Sequence, residues 1–263
     1  MLISAYAAGP DVFFPNAREH GERKRQIAAE AGIELLLPLD NDIDLQAPDA
    51  AMRIYEANRD MMRQADICIA NISPFRGPSA DDGTAFELGF FDGLGKPAFA
   101  YSNTPEPLVE RTQHFLKAWP DPGDLVVEDF GLPTNLMLPG AVRRTTGSAI
   151  FLPEQPLPFD ALDVFAEAVQ KISALCAPIA TIKTTWMREG FDRRAIDGVL
   201  HEPNAHFLWQ TALPALIETK DPSLIAFVLA PRVASRHMGL RNLDAMMKIR
   251  EPTLLHADNP DDE

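Results

Sequence analysis

The chain has 263 residues, 46% of them hydrophobic and 24% charged, so a sizeable core can be buried and wholesale disorder is excluded. Lys and Arg number 24 against 38 Asp and Glu, a net charge of -14 that repels phosphate backbones and anionic lipid and so argues against nucleic-acid and membrane partners. Two cysteines, Cys68 and Cys176, make neither a disulfide framework nor a structural zinc site. No run approaches 18 apolar residues and Met1 to Pro10 lacks a charged leader, which predicts a soluble cytoplasmic protein.

Leu2 to Ala8 is a short apolar run ended by Gly9-Pro10, as expected of a first strand and its turn. Ala17 to Ala31 reads as an amphipathic helix stopped by Gly32, and Ile33 to Leu39 as a second strand. Asp49 can cap a helix running to about Ala65, with Ile54, Ala57, Met61 and Ala65 on its buried stripe. Ile67 to Ile72 is almost continuously apolar, as a strand buried on both faces demands. Gly83 to Leu94 reads as a helix and Pro97 to Tyr101 as another strand. This alternation predicts an α/β fold with a doubly wound parallel sheet, a flavodoxin- or Rossmann-like three-layer arrangement.

Beyond Tyr101 the pattern loosens into Pro-rich stretches at 105–107, 120–122 and 153–158, then an amphipathic helix from Phe159 to about Cys176. Pro178 marks a boundary, giving an α/β domain over 1–177 and a C-terminal helical extension over 178–263, with helical stretches around 192–201, 205–218 and 233–249. The acidity belongs to the first part, which carries a net -12 against -2 for the second. Asp258 to Glu263 reads as a solvated tail, and Phe207-Leu208-Trp209 and Met246-Met247 as core.

Familiar motifs fail on their geometry. His201 and His206 lie five apart, about 140° round a helix rather than on one face, with Pro203 between them, so they are not a zinc pair. Gly77-Pro78-Ser79-Ala80-Asp81 lacks the second glycine of a nucleophile elbow, and Gly93-Leu94-Gly95 closes a helix instead of opening one.

Parallel sheets bind ligands outside the carboxyl ends of their strands. Three polar clusters fall there: Tyr6 to Pro10, Asp40-Asn41, and Ser73 to Glu87, the last with Asp81, Asp82 and Glu87 at a helix start. A purely structural explanation exists, because Thr84-x-x-Glu87 fits a capping box and Asp81 and Asp82 suit the positive end of a helix. Capping does not account for so much acid in a crevice. A carboxylate pinned and partly desolvated in a first helical turn also suits a nucleophile. Arg76 is assigned to shaping its loop.

Tyr6-Ala7-Ala8-Gly9-Pro10 with Phe13 and Pro15, Pro38-Leu39-Asp40-Asn41, Asn58-x-Asp60, Ala65-Asp66, the stretch from Ser73 to Gly89, and Phe130 to Leu138 together resemble the nucleoside 2-deoxyribosyltransferase family over roughly residues 1–175. The resemblance implies transfer of 2-deoxyribose between nucleobases by double displacement. It implies catalytic roles for Glu87 as the nucleophile at C1′, Tyr6 as the phenol orienting it, and Asp60 as the acid that handles the base. It implies substrate-binding roles for Asp81 at the sugar 5′-hydroxyl, for Asn135 reaching that hydroxyl from a neighbouring subunit of a homo-oligomer, and for Gly9 and Asn58. The partners are then a nucleoside and a free nucleobase, and no metal or organic cofactor is called for.

The chain departs from the family in its length past Cys176. Two alternatives stand beside transfer: an N-glycoside hydrolase acting on deoxynucleosides or their 5′-monophosphates, and a non-catalytic nucleotide-sensing domain. Asp81 argues against a 5′-phosphate, since two like charges about 4 Å apart cost roughly 4 kcal/mol at an effective dielectric of about 20.

Overall fold

The structure, a computed structural model, describes residues 3–119 and 123–188. The helical stretches expected beyond residue 188, His201 and His206, the 207–209 and 246–247 clusters and the acidic tail lie outside the described residues. Four parallel strands, β1 (Ile3–Ala8), β2 (Ile33–Leu36), β3 (Ile67–Asn71) and β4 (Ala98–Tyr101), form one sheet in the order β2-β1-β3-β4. The helices are α1 (Ala17–Glu30), α2 (Ala50–Gln64), α3 (Asp82–Gly93), α4 (Leu108–Leu116), α5 (Met137–Thr146) and α6 (Asp163–Arg188). No helix among the described residues is long and apolar enough to cross a membrane.

Alternation along the central strands sorts their side chains between two cores. Ile3, Ala5, Ala7, Ile67 and Ile69 face a cluster completed by Ala28 of α1 and Phe165, Val169 and Ile172 of α6. Tyr6, Ala8, Cys68, Ala70 and Ile72 face the other cluster, closed by Met62 of α2, Leu88 and Phe91 of α3, and Leu138 and Val142 of α5. Helices therefore cover both faces, which is the three-layer arrangement expected. Because β1 connects outward to β2 and the chain then returns to β3, the strand order reverses between β1 and β3.

Local chemistry sets the boundaries. Gly32 ends α1 with φ 77°, the left-handed conformation that glycine adopts without strain. The second strand stops three residues earlier than expected: Pro38 has no N–H for the ladder and starts a 3-10 turn, Pro38–Asp40, whose Asp40 carboxylate accepts from the Leu37 amide at 2.9 Å. Asp49 sits at the N-cap of α2, but its side chain makes no capping bond. On α2 the fully buried positions are Ala50 and Met62, while Ile54, Ala57 and Met61 are only half-buried. The other end of α2 is held by Lys96, whose buried ammonium donates to the carbonyls of Arg63 (2.5 Å) and Ala65 (2.6 Å).

The region after Tyr101 is more ordered than its prolines suggest. Pro105 and Pro107 precede α4, and Pro139 falls within the first turn of α5, where a missing N–H costs nothing. The expected last helix starts at Asp163 and runs on through Pro178 to Arg188. An interior proline removes one hydrogen bond and strains the turn by about 3 kcal/mol. Packing compensates here: Ala180, beyond the proline, still lies against the α1/α6 core, and the Ser173 hydroxyl donates to the Ala31 carbonyl at 2.6 Å.

Candidate active site

The reversal point between β1 and β3 is where the first functional pair forms. Tyr6 lies on β1 beside Cys68 of β3, fully buried and facing α3, with Phe91 6.1 Å from its ring. Its hydroxyl donates to Glu87 Oε1 at 2.5 Å. Glu87 is half-buried in the second turn of α3, and burial pushes its carboxyl up to about 7, with the nearby Asp81 charge adding to that shift and the Tyr6 hydroxyl opposing it. Burial and the Glu87 charge together raise the Tyr6 phenol, which therefore stays protonated and donates. The arrangement is a desolvated carboxylate with one fixed donor, suited to attack on an electrophilic carbon and to release from it.

The capping expectation is corrected. Helix α3 begins at Asp82 and its N-cap is Asp81, whose carboxylate accepts from the Thr84 amide at 3.2 Å and lies 3.4 Å from the Thr84 hydroxyl. Thr84 is buried inside the first turn and Glu87 points to Tyr6, so no Thr84–Glu87 box forms. Asp81 is thus half-buried, electrostatically coupled to Glu87, and fixed in direction by its capping bonds.

Gly9 closes the end of β1 with φ 156° and ψ 164°, a region that side chains avoid, and a Cβ there would fall 2.9 Å from Asn71 Cβ. This close approach lets the two central strand ends meet. Asn58 is half-buried on α2 and its side-chain oxygen accepts from Asn41 Nδ2 at 2.9 Å, joining α2 to the Asp40–Asn41 cluster.

Two expected residues are not brought to this pair. Asp60 has 67% of its side chain exposed, lies 3.5 Å from Arg63, and makes no hydrogen bond to Tyr6, Glu87 or Asp81. The methionines beside it diverge, Met62 into the core and Met61 to half-burial, so they do not turn Asp60 inward. Asn135 is exposed; its amide donates to Glu128 at 2.9 Å and its oxygen accepts from the Met137 amide at 3.1 Å.

Two features of the surroundings went unread in the sequence, the burial of Lys24 and the clamp of Arg111, while Arg76 shapes its loop as expected. Lys24, on the expected charged face of α1, is 1% exposed and lies 2.5 Å from Asp11, which also accepts from Asn71 Nδ2 at 2.9 Å. Asn71 in turn accepts from the Ser73 amide at 3.1 Å, so a buried ion pair ties the 9–13 turn to the start of the 73–81 loop. In that loop Arg76 adopts φ 56° and lays its guanidinium 4.6 Å from the rings of both Phe13 and Phe75, which stack 5.2 Å apart. Arg111 of α4 donates to the Pro78 carbonyl at 3.0 Å and the Pro133 carbonyl at 2.5 Å. Lys24 and Arg111 read as ordinary helix charges, because the partners that bury or bind them lie in distant segments.

The nucleoside 2-deoxyribosyltransferase family model matches residues 5–137. A 2-deoxyribosyltransferase structure from Leishmania mexicana is 35% identical, covering 64% of this chain and 97% of that one, with a TM-score of 0.47. The 2-deoxyribosyltransferase of Bacillus psychrosaccharolyticus is 20% identical over 53% of this chain and 82% of its own, with a TM-score of 0.36. An uncharacterized protein of Schizosaccharomyces pombe is 28% identical over 191 residues, 64% of this chain and 88% of that protein. With the matched segment running from the Tyr6 strand through the Glu87 helix to Met137, the chain belongs to the nucleoside 2-deoxyribosyltransferase family.

Proposed function

We propose that this chain moves 2-deoxyribose between nucleobases through a deoxyribosyl ester on Glu87. The observation that carries the reading is the 2.5 Å bond from the buried Tyr6 hydroxyl to a Glu87 carboxyl shifted to about 7, at the point where the strand order reverses between β1 and β3. In the first displacement a Glu87 oxygen attacks C1′, the C1′–N bond breaks, and its electron pair leaves with the base, which takes a proton from Asp60. In the second, a nitrogen of the incoming base attacks C1′, the ester bond breaks back to the Glu87 carboxylate, and the released proton returns to Asp60. Two displacements at one carbon retain configuration.

The Tyr6 hydroxyl holds one Glu87 oxygen and stabilises the carboxylate when it leaves. Asp81 accepts from the 5′-hydroxyl, and its charge beside Glu87 disfavours a 5′-phosphate. Gly9, whose missing side chain lets β1 close on Asn71, shapes the backbone beside the sugar, and Asn58 lines the base side with Asn41. Asn135, exposed and away from its own chain's Tyr6–Glu87 pair, acts in the site of a neighbouring subunit of a homo-oligomer. For this role Asp60 has to leave Arg63. Residues 1–177 carry this chemistry. The reaction belongs to nucleotide salvage in the cytoplasm, and two unpaired buried thiols suit a reducing compartment.

The test mixes 2′-deoxyadenosine with a second free base and follows both nucleosides and both bases by chromatography. Appearance of the second deoxynucleoside is the expected result. Free deoxyribose without exchange means hydrolysis, and neither product with any purine or pyrimidine pair means a sensor.

A further inference from the structure

The geometry points to Arg111 as the residue that builds the 5′-hydroxyl subsite: a guanidinium on α4 that positions the Asp81 loop against the 132–135 segment without touching substrate. This role rests on the transferase reading above.

A guanidinium presents five N–H donors in a rigid plane and so can fix several acceptors in set directions at once. Arg111 uses that fork on backbone alone. Its Nε donates to the Pro78 carbonyl at 3.0 Å, its Nη2 to the Pro133 carbonyl at 2.5 Å, and its Nη1 to the Glu106 carbonyl. These three carbonyls belong to segments far apart in the chain: the loop leading to Asp81, the stretch leading to Asn135, and the turn before α4. Two further contacts run along the same seam. The Ser79 and Thr134 hydroxyl oxygens lie 3.4 Å apart, and the Leu108 amide donates to the Leu132 carbonyl at 2.8 Å.

The first half of the loop is held by Arg76 over Phe13 and Phe75 and by the Ser73 contacts, and Arg111 holds its Pro78 end. Between Ser73 and Asp81 two residues are proline and one is glycine, Arg76 sits at φ 56°, and the Phe75 amide bonds back to the Ser79 carbonyl at 2.9 Å. Asp81 is then aimed by its bonds to Thr84, three residues after the Pro78 carbonyl that Arg111 holds. Removing the fork breaks no bond of the Tyr6–Glu87 pair, since neither residue touches Arg111, but frees the Pro78 end of the loop and so loosens the placing of Asp81 at the start of α3. Discrimination for the 5′-hydroxyl is therefore lost selectively.

Base exchange is measured with 2′-deoxyadenosine and with 2′,5′-dideoxyadenosine as donors, in the wild-type chain, Arg111→Met and Arg111→Lys, with circular dichroism melting to verify folding. A site built to bond a hydroxyl rejects the donor lacking it by about 100-fold or more in kcat/KM. Arg111→Met is expected to cut that ratio about tenfold or more, the loss falling on the hydroxylated donor and chiefly in KM. Arg111→Lys, which keeps the cation and one donor direction, falls between and serves if the methionine variant does not fold. A ratio unchanged in a folded variant, with both donors slowed alike or neither slowed, overturns the inference. A wild-type chain that exchanges bases but treats the two donors alike refutes the 5′-hydroxyl assignment and the clamp together. A wild-type chain that exchanges no base refutes the parent reading, a failure distinct from the other two.

Discussion

Replacing Glu87 with glutamine removes one titrating group while keeping its shape and its acceptor for the Tyr6 hydroxyl. In the native fold this carboxyl is shifted from 4.5 to about 7, mainly by burial. A raised carboxyl favours the folded state fully only below its unfolded pKa, and that contribution is lost as pH rises through the folded one. Ionised Glu87 at pH 8 therefore costs the fold roughly 3 kcal/mol, the shift multiplied by about 1.4 kcal/mol per unit. Glu87→Gln carries no such cost. Its melting temperature should exceed that of the wild type by about 5–10 °C at pH 8, and the gap should close as pH falls toward 4.5. Thermal denaturation of both proteins across this range measures the difference, in which titrating groups not coupled to Glu87 cancel. Exchange by the variant should be undetectable at every pH, because an amide cannot trap the sugar. Melting curves that run parallel from pH 4.5 to 8 would refute the desolvation argument, and near-normal exchange would refute the nucleophile.

Tyr6→Phe deletes the donor that holds the Glu87 carboxyl down, so the acidic limb of kcat/KM for exchange should move above pH 7 and the rate fall about 10- to 100-fold; a limb that does not move removes Tyr6 from the reaction. Asp60→Asn should slow exchange about 10²- to 10⁴-fold if Asp60 handles the base proton, and a rate within twofold of the wild type would return it to the role of a surface charge paired with Arg63. Lys24→Met leaves Asp11 buried without its cation and should cost about 3–5 kcal/mol in urea unfolding, most of it recovered in Asp11→Asn/Lys24→Met. Failure of the double variant to recover would mean that Lys24 packs against Phe165 and Tyr101 more than it neutralises Asp11.

The four strands and the crevice were legible because both obey local rules. Strands buried on both faces are apolar runs, and the clusters around Tyr6 and Ser73–Glu87 follow such runs directly. What escaped depends on contacts between distant segments. Lys24 reads as solvated until Asp11 is known to fold over it. Arg111 reads as a helix charge until the carbonyls of Pro78 and Pro133 converge on it. Helix α5 escaped because its opening prolyl-glycyl pair looks like a turn, and α6 was cut short at Pro178 because packing on the far side of a proline leaves no local trace. The capping box had the right spacing and the wrong register: moving the helix start to Asp82 hands the cap to Asp81 and frees Glu87.

The two cysteines lie in different cores, Cys68 with Tyr6 and Cys176 with α1. Burial raises both thiols, Cys176 to about 12, so neither is a thiolate at neutral pH while the fold is intact. An alkylating reagent reaches each only when its own side of the sheet opens. The chain thus contains a matched pair of internal clocks: the order in which the thiols are labelled under mild denaturant states which layer of helices peels away first, with no engineered probe.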